Sequence, residues 1–131
     1  MLDLSGVALV NVDLTGADLC NLSFSESILF GVRFSECKLR NATFHGCRMD
    51  DVTFDRCDAR GARFDDVEGR KVDLWRSNFN GAEFDRARLV DGSLMDDTNT
   101  FEGATYTDDT KMQFGPTWDF DQRKMVKEEW G

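Results

Sequence analysis

Ala17-Asp18-Leu19-Cys20-Asn21-Leu22-Ser23-Phe24-Ser25-Glu26-Ser27-Ile28-Leu29-Phe30-Gly31-Val32-Arg33-Phe34 puts a large apolar residue at every fifth position: Leu19, Phe24, Leu29 and Phe34. The same beat runs back through Leu14, Leu9 and Leu4. It runs forward through Leu39, Phe44, Met49 and Phe54, and resumes at Phe64, Leu74, Phe79, Phe84, Leu89 and Leu94. Of the 19 positions in this register 17 are Leu, Phe or Met, residues that make up 27 of the 131 and would fill only about four by chance. The residue two before each centre is small or apolar, as at Val7, Val12, Ala17, Val32, Cys37, Ala42, Cys47, Val52, Cys57, Ala62, Val67, Val72 and Ala82.

A period of five matches neither the 3.6 of a helix nor the alternation of a strand. It matches a chain that turns a corner every five residues, with the centre and the residue two before it pointing inward and the other three outward. Glycine recurs two after the centre, at Gly6, Gly16, Gly31, Gly46, Gly61 and Gly81, where a corner needs permissive dihedrals. Four such sides make a coil of 20 residues.

These residues resemble the pentapeptide-repeat family, whose motif Ala-(Asp/Asn)-Leu-x-x is seen in Ala17-Asp18-Leu19-Cys20-Asn21 and approached in Ala42-Thr43-Phe44-His45-Gly46 and Ala82-Glu83-Phe84-Asp85-Arg86. The resemblance covers residues 2 to 94. It implies an all-β fold, a right-handed quadrilateral parallel β-helix, with coils stacked at the strand spacing of roughly 4.8 Å. One inner column then reads Leu4, Phe24, Phe44, Phe64, Phe84, and another Leu14, Phe34, Phe54, Leu74, Leu94.

Two centres break the pattern, Ala59 and Gly69. Phe79 or Leu39 is expected to lean over Ala59, and Met49 or Leu89 over Gly69, with Val67-Glu68-Gly69-Arg70 as the place for an irregular side. The register fails at Asn99 and returns after a slip of two at Phe101 and Ala104-Thr105-Tyr106. The expected division is therefore a β-helix over 1–106 and a C-terminal cap over 107–131. The cap is expected to end in a short α-helix near 120–130, N-capped by Asp119 or Asp121. Its Trp118, Phe120, Met125 and Trp130 exceed what a terminal cap needs and mark a surface for homodimerisation.

The formal net charge is -9. Residues 1–32 carry four acids and no base, residues 33–90 are close to neutral, and residues 91–131 carry ten acids against four bases. Direct nucleic-acid binding is disfavoured, because phosphate contacts need clustered Lys and Arg. No stretch reaches the apolar run of about 20 residues that spans a bilayer, and no basic start precedes an apolar segment. No membrane association and a cytoplasmic location are expected. Cys20, Cys37, Cys47 and Cys57 sit in repeat positions and read as small residues rather than a disulfide framework.

Ser25, His45 and Asp65 fall 20 apart in one outward column and suggest a nucleophile, base and orienter. A flat solenoid side offers no pocket and no free backbone donors for an oxyanion, so no catalysis is expected. With His45 the only histidine, no metal site or cofactor is expected either. Two outward features are candidates for a protein partner. One is the apolar group Val10, Ile28 and Phe30, with Ala8 beside it. The other is the acidic run Asp91, Asp96, Asp97, Glu102, Asp108 and Asp109. The family includes proteins that bind DNA gyrase as acidic rods resembling DNA. By that resemblance the expected function is a non-enzymatic DNA-mimic inhibitor or protector acting on a DNA-binding enzyme, a topoisomerase or a phage-defence nuclease. The alternative is a structural or adaptor module that binds its partner through the apolar patch.

Overall fold

From residue 6 to residue 86 each corner of the chain lies two residues after a repeat centre, and each carries a positive φ. Glycine fills it at Gly6, Gly16, Gly31, Gly46, Gly61 and Gly81, while Asn11, Asn21, Glu26, Glu36, Asn41, Asp51, Arg56, Asp66, Lys71, Arg76 and Arg86 adopt the same left-handed conformation with a side chain. That conformation is costly for a residue bearing a Cβ. It persists because many corner amides donate to a carbonyl of the next coil, as Glu26 N does to His45 O at 2.7 Å and Asp66 N to Asp85 O at 2.9 Å.

In the computed structural model, residues 3–113 and 118–128 are described. The strands are β1 (Ala8–Val10), β2 (Ile28–Phe30), β3 (Arg33–Ser35), β4 (Arg48–Asp55), β5 (Glu68–Trp75), β6 (Arg88–Val90), β7 (Leu94–Met95), β8 (Thr105–Tyr106), β9 (Lys111–Met112) and β10 (Val126–Lys127). All pair in parallel, in the order β1-β2-β4-β5-β6-β9, with β3 on β4, β7 on β5 and β10 on β8. The chain is a parallel β-solenoid. Its first coils are 20 residues long: Ala8 pairs with Ile28, Ile28 with Arg48, Arg48 with Glu68, and Glu68 with Arg88.

The core is a pair of interlocking phenylalanine ladders. Phe24, Phe44, Phe64 and Phe84 stack with centroids 4.9 to 5.1 Å apart, Phe34 stacks on Phe54 at 4.8 Å, and the ladders meet edge to face at 5.6 to 5.8 Å from Phe24 to Phe64. The buried thiols sit at the position two before a centre. Cys37, Cys47 and Cys57 donate Sγ–H to the carbonyls of Leu14, Phe24 and Phe34, and all four cysteines are free.

Three sequence expectations need correction here. First, Val67-Glu68-Gly69-Arg70 is regular: β5 pairs without a break to β4 and β6, because Leu89 fills the place of the missing side chain, its Cδ2 2.8 Å from where a Cβ on Gly69 would lie. Second, the register slips before Asn99. Asp73 pairs with Leu94, Asn78 with Thr100 and Arg88 with Lys111, so the last full coil gains one residue at each of three corners. Leu94 therefore turns outward, 53% exposed, and Met95 takes the place opposite Leu74. Polar side chains complete each lengthened corner: Ser93 Oγ accepts from Val72 N, Asn99 Oδ1 from Ser77 N, and Thr107 Oγ1 from Arg86 N. Third, no α-helix occurs among the described residues. Asp119 Oδ1 does accept from the amides of Asp121 and Gln122. Lys124, at φ 59, then ends the turn, and the chain returns as β10. Strand pairing also runs past residue 106, through β9 and β10.

Candidate functional site

Strand alternation on the side built by β1, β2, the first half of β4, the first half of β5, β6 and β9 turns the middle residue of each rung inward, half-buried at Leu9 and buried in the later rungs, and its two neighbours outward. The outward pairs, rung by rung, are Ala8 and Val10, Ile28 and Phe30, Arg48 and Asp50, Glu68 and Arg70, and Arg88 and Val90, of which Asp50 and Val90 are half-buried and the rest exposed. Val10, Ile28 and Phe30 are 55%, 51% and 45% exposed, high values for large apolar side chains and contiguous across two coils. Below them ion pairs run along the columns: Arg70 Nε to Asp50 at 3.1 Å and Arg88 Nε to Glu68 at 3.5 Å. Arg48 has no ion-pair partner among the described residues. The same side holds a shallow groove of about 510 Å3, floored by Leu29, Met49 and Gly69.

The acidic run does not form one patch. Asp91 lies on the corner that borders the groove, its carbonyl accepting from Lys71 N. Asp96, Asp97 and Glu102 border a second groove of about 440 Å3 that also contains Arg123 and Lys124, and Arg123 reaches Asp97 at 3.7 Å. Asp108 is paired with Lys127 at 2.6 Å, and Asp109 is exposed beside it. In the middle coils arginines take up much of the negative charge: Arg86 holds Asp66, Arg76 holds Asp55, and Arg63 holds both Asp65 and Glu83. The carboxylates of the first coils differ. Side-chain and backbone hydrogen bonds from Ser5, Thr15 and Cys20 hold Asp3, Asp13 and Asp18 below the usual carboxylate range.

His45 Nδ1 lies 2.7 Å from Asp65 Oδ2 and 3.7 Å from Asp66. The histidine nitrogen and the two carboxylates lie within 4.8 Å of one another. Guanidiniums already engage both carboxylates. Asp65 is buried rather than solvated, with Oδ1 facing no partner. Ser25 is bonded to Ser23 at 3.1 Å, and no bond joins it to His45 among the described residues, so the column holds a base and its orienter without a nucleophile in line.

A family model for the pentapeptide repeat region matches residues 7–84, more than half the chain. The chain belongs to the pentapeptide-repeat family. No curated protein sequence matches it. Among solved structures, this pentapeptide-repeat chain is similar to a pentapeptide repeat protein from the Arabidopsis thaliana thylakoid lumen, at 26% identity and TM-score 0.60 over 84% of this chain and 72% of that one. It is similar also to a pentapeptide repeat protein from Nostoc PCC 7120, at 15% identity and TM-score 0.51 over 96% and 84%. Full-length QnrB1, a plasmid-mediated fluoroquinolone resistance protein, matches at 13% identity and TM-score 0.51 over 95% and 93%. The last two likenesses are of fold.

The tail of this pentapeptide-repeat protein packs on its own last coil. Trp118 meets Phe101 edge to face at 5.3 Å, Phe120 stacks on Tyr106 at 3.9 Å, and Met125 is 6% exposed. Arg123 lies over the Trp118 ring at 4.1 Å. Trp130, also expected at a dimer contact, lies outside the described residues. What the sequence reading missed was the pairing of charges 20 residues apart. The signal was present as Asp50/Arg70, Asp66/Arg86, Arg63/Glu83 and Glu68/Arg88, and needed only the coil length to be read.

Proposed function

We propose that this is a non-enzymatic protein-binding solenoid that docks its partner on the flat β side carrying Val10, Ile28 and Phe30. The observation that carries the reading is the contiguous exposure of those three side chains on a rigid, hydrogen-bonded surface. A soluble domain usually keeps such side chains apart unless a partner covers them. The rung below, with the unpaired Arg48, supplies a polar rim of the kind that gives an interface its specificity. Replacing Ile28 and Phe30 by Ser tests it. Proteins captured by the wild type should be lost by this variant, and retention of all of them overturns the reading.

A second reading, a DNA-mimic inhibitor or protector of a nucleic-acid enzyme such as a topoisomerase, draws support from the lowered carboxyls of Asp3, Asp13 and Asp18 on the first coils, of which Asp13 and Asp18 face Arg33 and Lys38 on the next coil, and from the net charge of -9. The arginine-paired middle coils and the divided acidic run make it the weaker of the two. Mimicry requires that duplex DNA displace the captured partner and that binding weaken with salt; failure of either removes it. Self-association through the tail would have to recruit Trp118 and Phe120 from their contacts with Phe101 and Tyr106.

A further inference from the structure

The side with Ile28 and Phe30 is complementary to itself. Its outward residues form two columns, Ala8, Ile28, Arg48, Glu68, Arg88 and Val10, Phe30, Asp50, Arg70, Val90, one on either side of the buried centres. Turning a second copy about a two-fold axis parallel to the solenoid axis keeps every rung at its height and reverses the strand direction. The first column of one copy is then laid on the second column of the other. Ala8 meets Val10, Ile28 meets Phe30, Arg48 meets Asp50, and Glu68 meets Arg70. Over these four rungs apolar falls on apolar and each charge on its opposite, and the symmetry makes every such contact twice; on the fifth rung Arg88, already held by Glu68 of its own chain, falls on Val90. Arg48, which lacks an ion-pair partner within its own chain among the described residues, gains one.

We propose that the occupant of this side is a second copy of the chain, lying alongside in the same direction as a two-fold lateral dimer. The inference rests on the reading of this side as a protein-binding surface and names its partner. Charge complementarity makes this side fit a second copy of itself, and the apolar residues select the relative direction. In the opposite, head-to-tail arrangement centred on the same rungs, Arg48 meets Glu68 and Asp50 meets Arg70, but Ile28 is set against Arg88. The parallel dimer alone brings Val10, Ile28 and Phe30 of both copies into one apolar cluster. The contact is small. Six rungs at about 4.8 Å and three residues at about 3.3 Å give a footprint near 24 by 10 Å, short of the roughly 1,200 Å2 typical of a stable interface. The dimer is therefore weak and concentration-dependent.

Sedimentation equilibrium from about 10 µM to about 1 mM, spanning a weak dissociation constant, tests the proposal with wild type, Phe30→Glu, Arg48→Glu and Asp50→Lys, each first shown to keep the wild-type circular dichroism spectrum. Wild type is expected to dimerise and each variant alone to associate at least tenfold more weakly. In a mixture of Arg48→Glu with Asp50→Lys, the introduced carboxylate meets the introduced lysine while the native Asp50 of one copy meets the native Arg48 of the other. A mixed dimer should form with about wild-type strength. The proposal is overturned by a wild type that stays monomeric at the top of the range, by a dimer indifferent to Phe30→Glu, or by a mixture no stronger than its components, which is the head-to-tail result. A monomeric wild type whose capture of another protein still depends on Ile28 and Phe30 would remove the dimer and leave the docking surface standing. Loss of neither self-association nor capture on Ile28→Ser/Phe30→Ser would remove the docking surface itself.

Discussion

Replacing Phe44 by Ala takes a ring out of one ladder and removes its edge contacts with the other. The Phe44 ring is fully buried, stacked on Phe24 at 4.9 Å and Phe64 at 5.1 Å, and edge-on to Phe34 and Phe54 at 5.6 Å. Truncating a buried Phe to Ala costs about 3–5 kcal/mol, most where the surroundings cannot close on the space left. Here they cannot, because the rungs on either side are held apart by the ladder bonds Phe24 N to Thr43 O and Phe44 N to Arg63 O, both 2.7 Å. Ring contacts of this geometry add roughly 0.5–1.5 kcal/mol beyond area, which puts the loss near 5 kcal/mol. With a urea slope of about 2 kcal/mol/M, the midpoint should fall by about 2.5 M. Leu9→Ala, in the half-exposed first coil, should cost only about 1 kcal/mol, since less apolar surface returns to water. Urea titration followed by far-ultraviolet circular dichroism measures both, and Phe44→Leu provides a milder variant if Phe44→Ala does not fold. A Phe44→Ala midpoint within about 0.5 M of that of Leu9→Ala would refute the claim that the continuous ladder, rather than the sum of similar coils, carries stability.

Gly61→Ala should destabilise by about 1–2 kcal/mol in thermal melts, since φ is +69 and the new Cβ would fall 2.5 Å from Asn41 Oδ1, whereas Gly81→Asn, at the same φ with open space around it, should change little. Stability should fall as the solution is acidified below about pH 4. The Arg86 hydrogen bonds hold the Asp66 carboxyl below its usual range, as those of Arg60 do for Asp58, so their contribution is complete above the unfolded pKa and lost as pH falls through the folded one. Asp66→Asn should flatten that slope in urea melts at pH 7 and pH 3. A thiol reagent at neutral pH should titrate Cys20 quickly and Cys37, Cys47 and Cys57 only with unfolding, because all three are buried from the reagent; burial also pushes the Cys47 thiol up, as the Cys37 thiol and burial do for Cys57, whereas the hydrogen bond with Cys57 brings Cys37 down to about 7 and leaves burial alone to protect it. Fast reaction of more than one thiol in the folded protein would contradict the packing described.

The five-residue beat was enough to define the solenoid, the inward residues, the 20-residue coil and so the Phe ladders. In a chain that repeats at fixed length each residue's neighbours are set by its own number plus or minus one coil. That determinism ends where the coil length changes. Leu94 and Met95 are equally apolar, and nothing local says which turns inward. Ser93, Asn99 and Thr107 decided the lengthened corners by reaching the amides of Val72, Ser77 and Arg86, contacts between residues more than 20 apart. The helix expected near residues 120–130 failed for the same reason. Its composition suited a helix, but β8, at the open edge of the last coil, offered the tail a strand partner for β10, and pairing with that edge outweighed local propensity. The candidate surface divides in the same way. Sequence placed Val10, Ile28 and Phe30 outward and, through the coil length, in line with Arg48, Asp50, Glu68 and Arg70; the tertiary structure decided which of these charges pair within the chain, Asp50 with Arg70 and Glu68 with Arg88, and that among the described residues Arg48 does not.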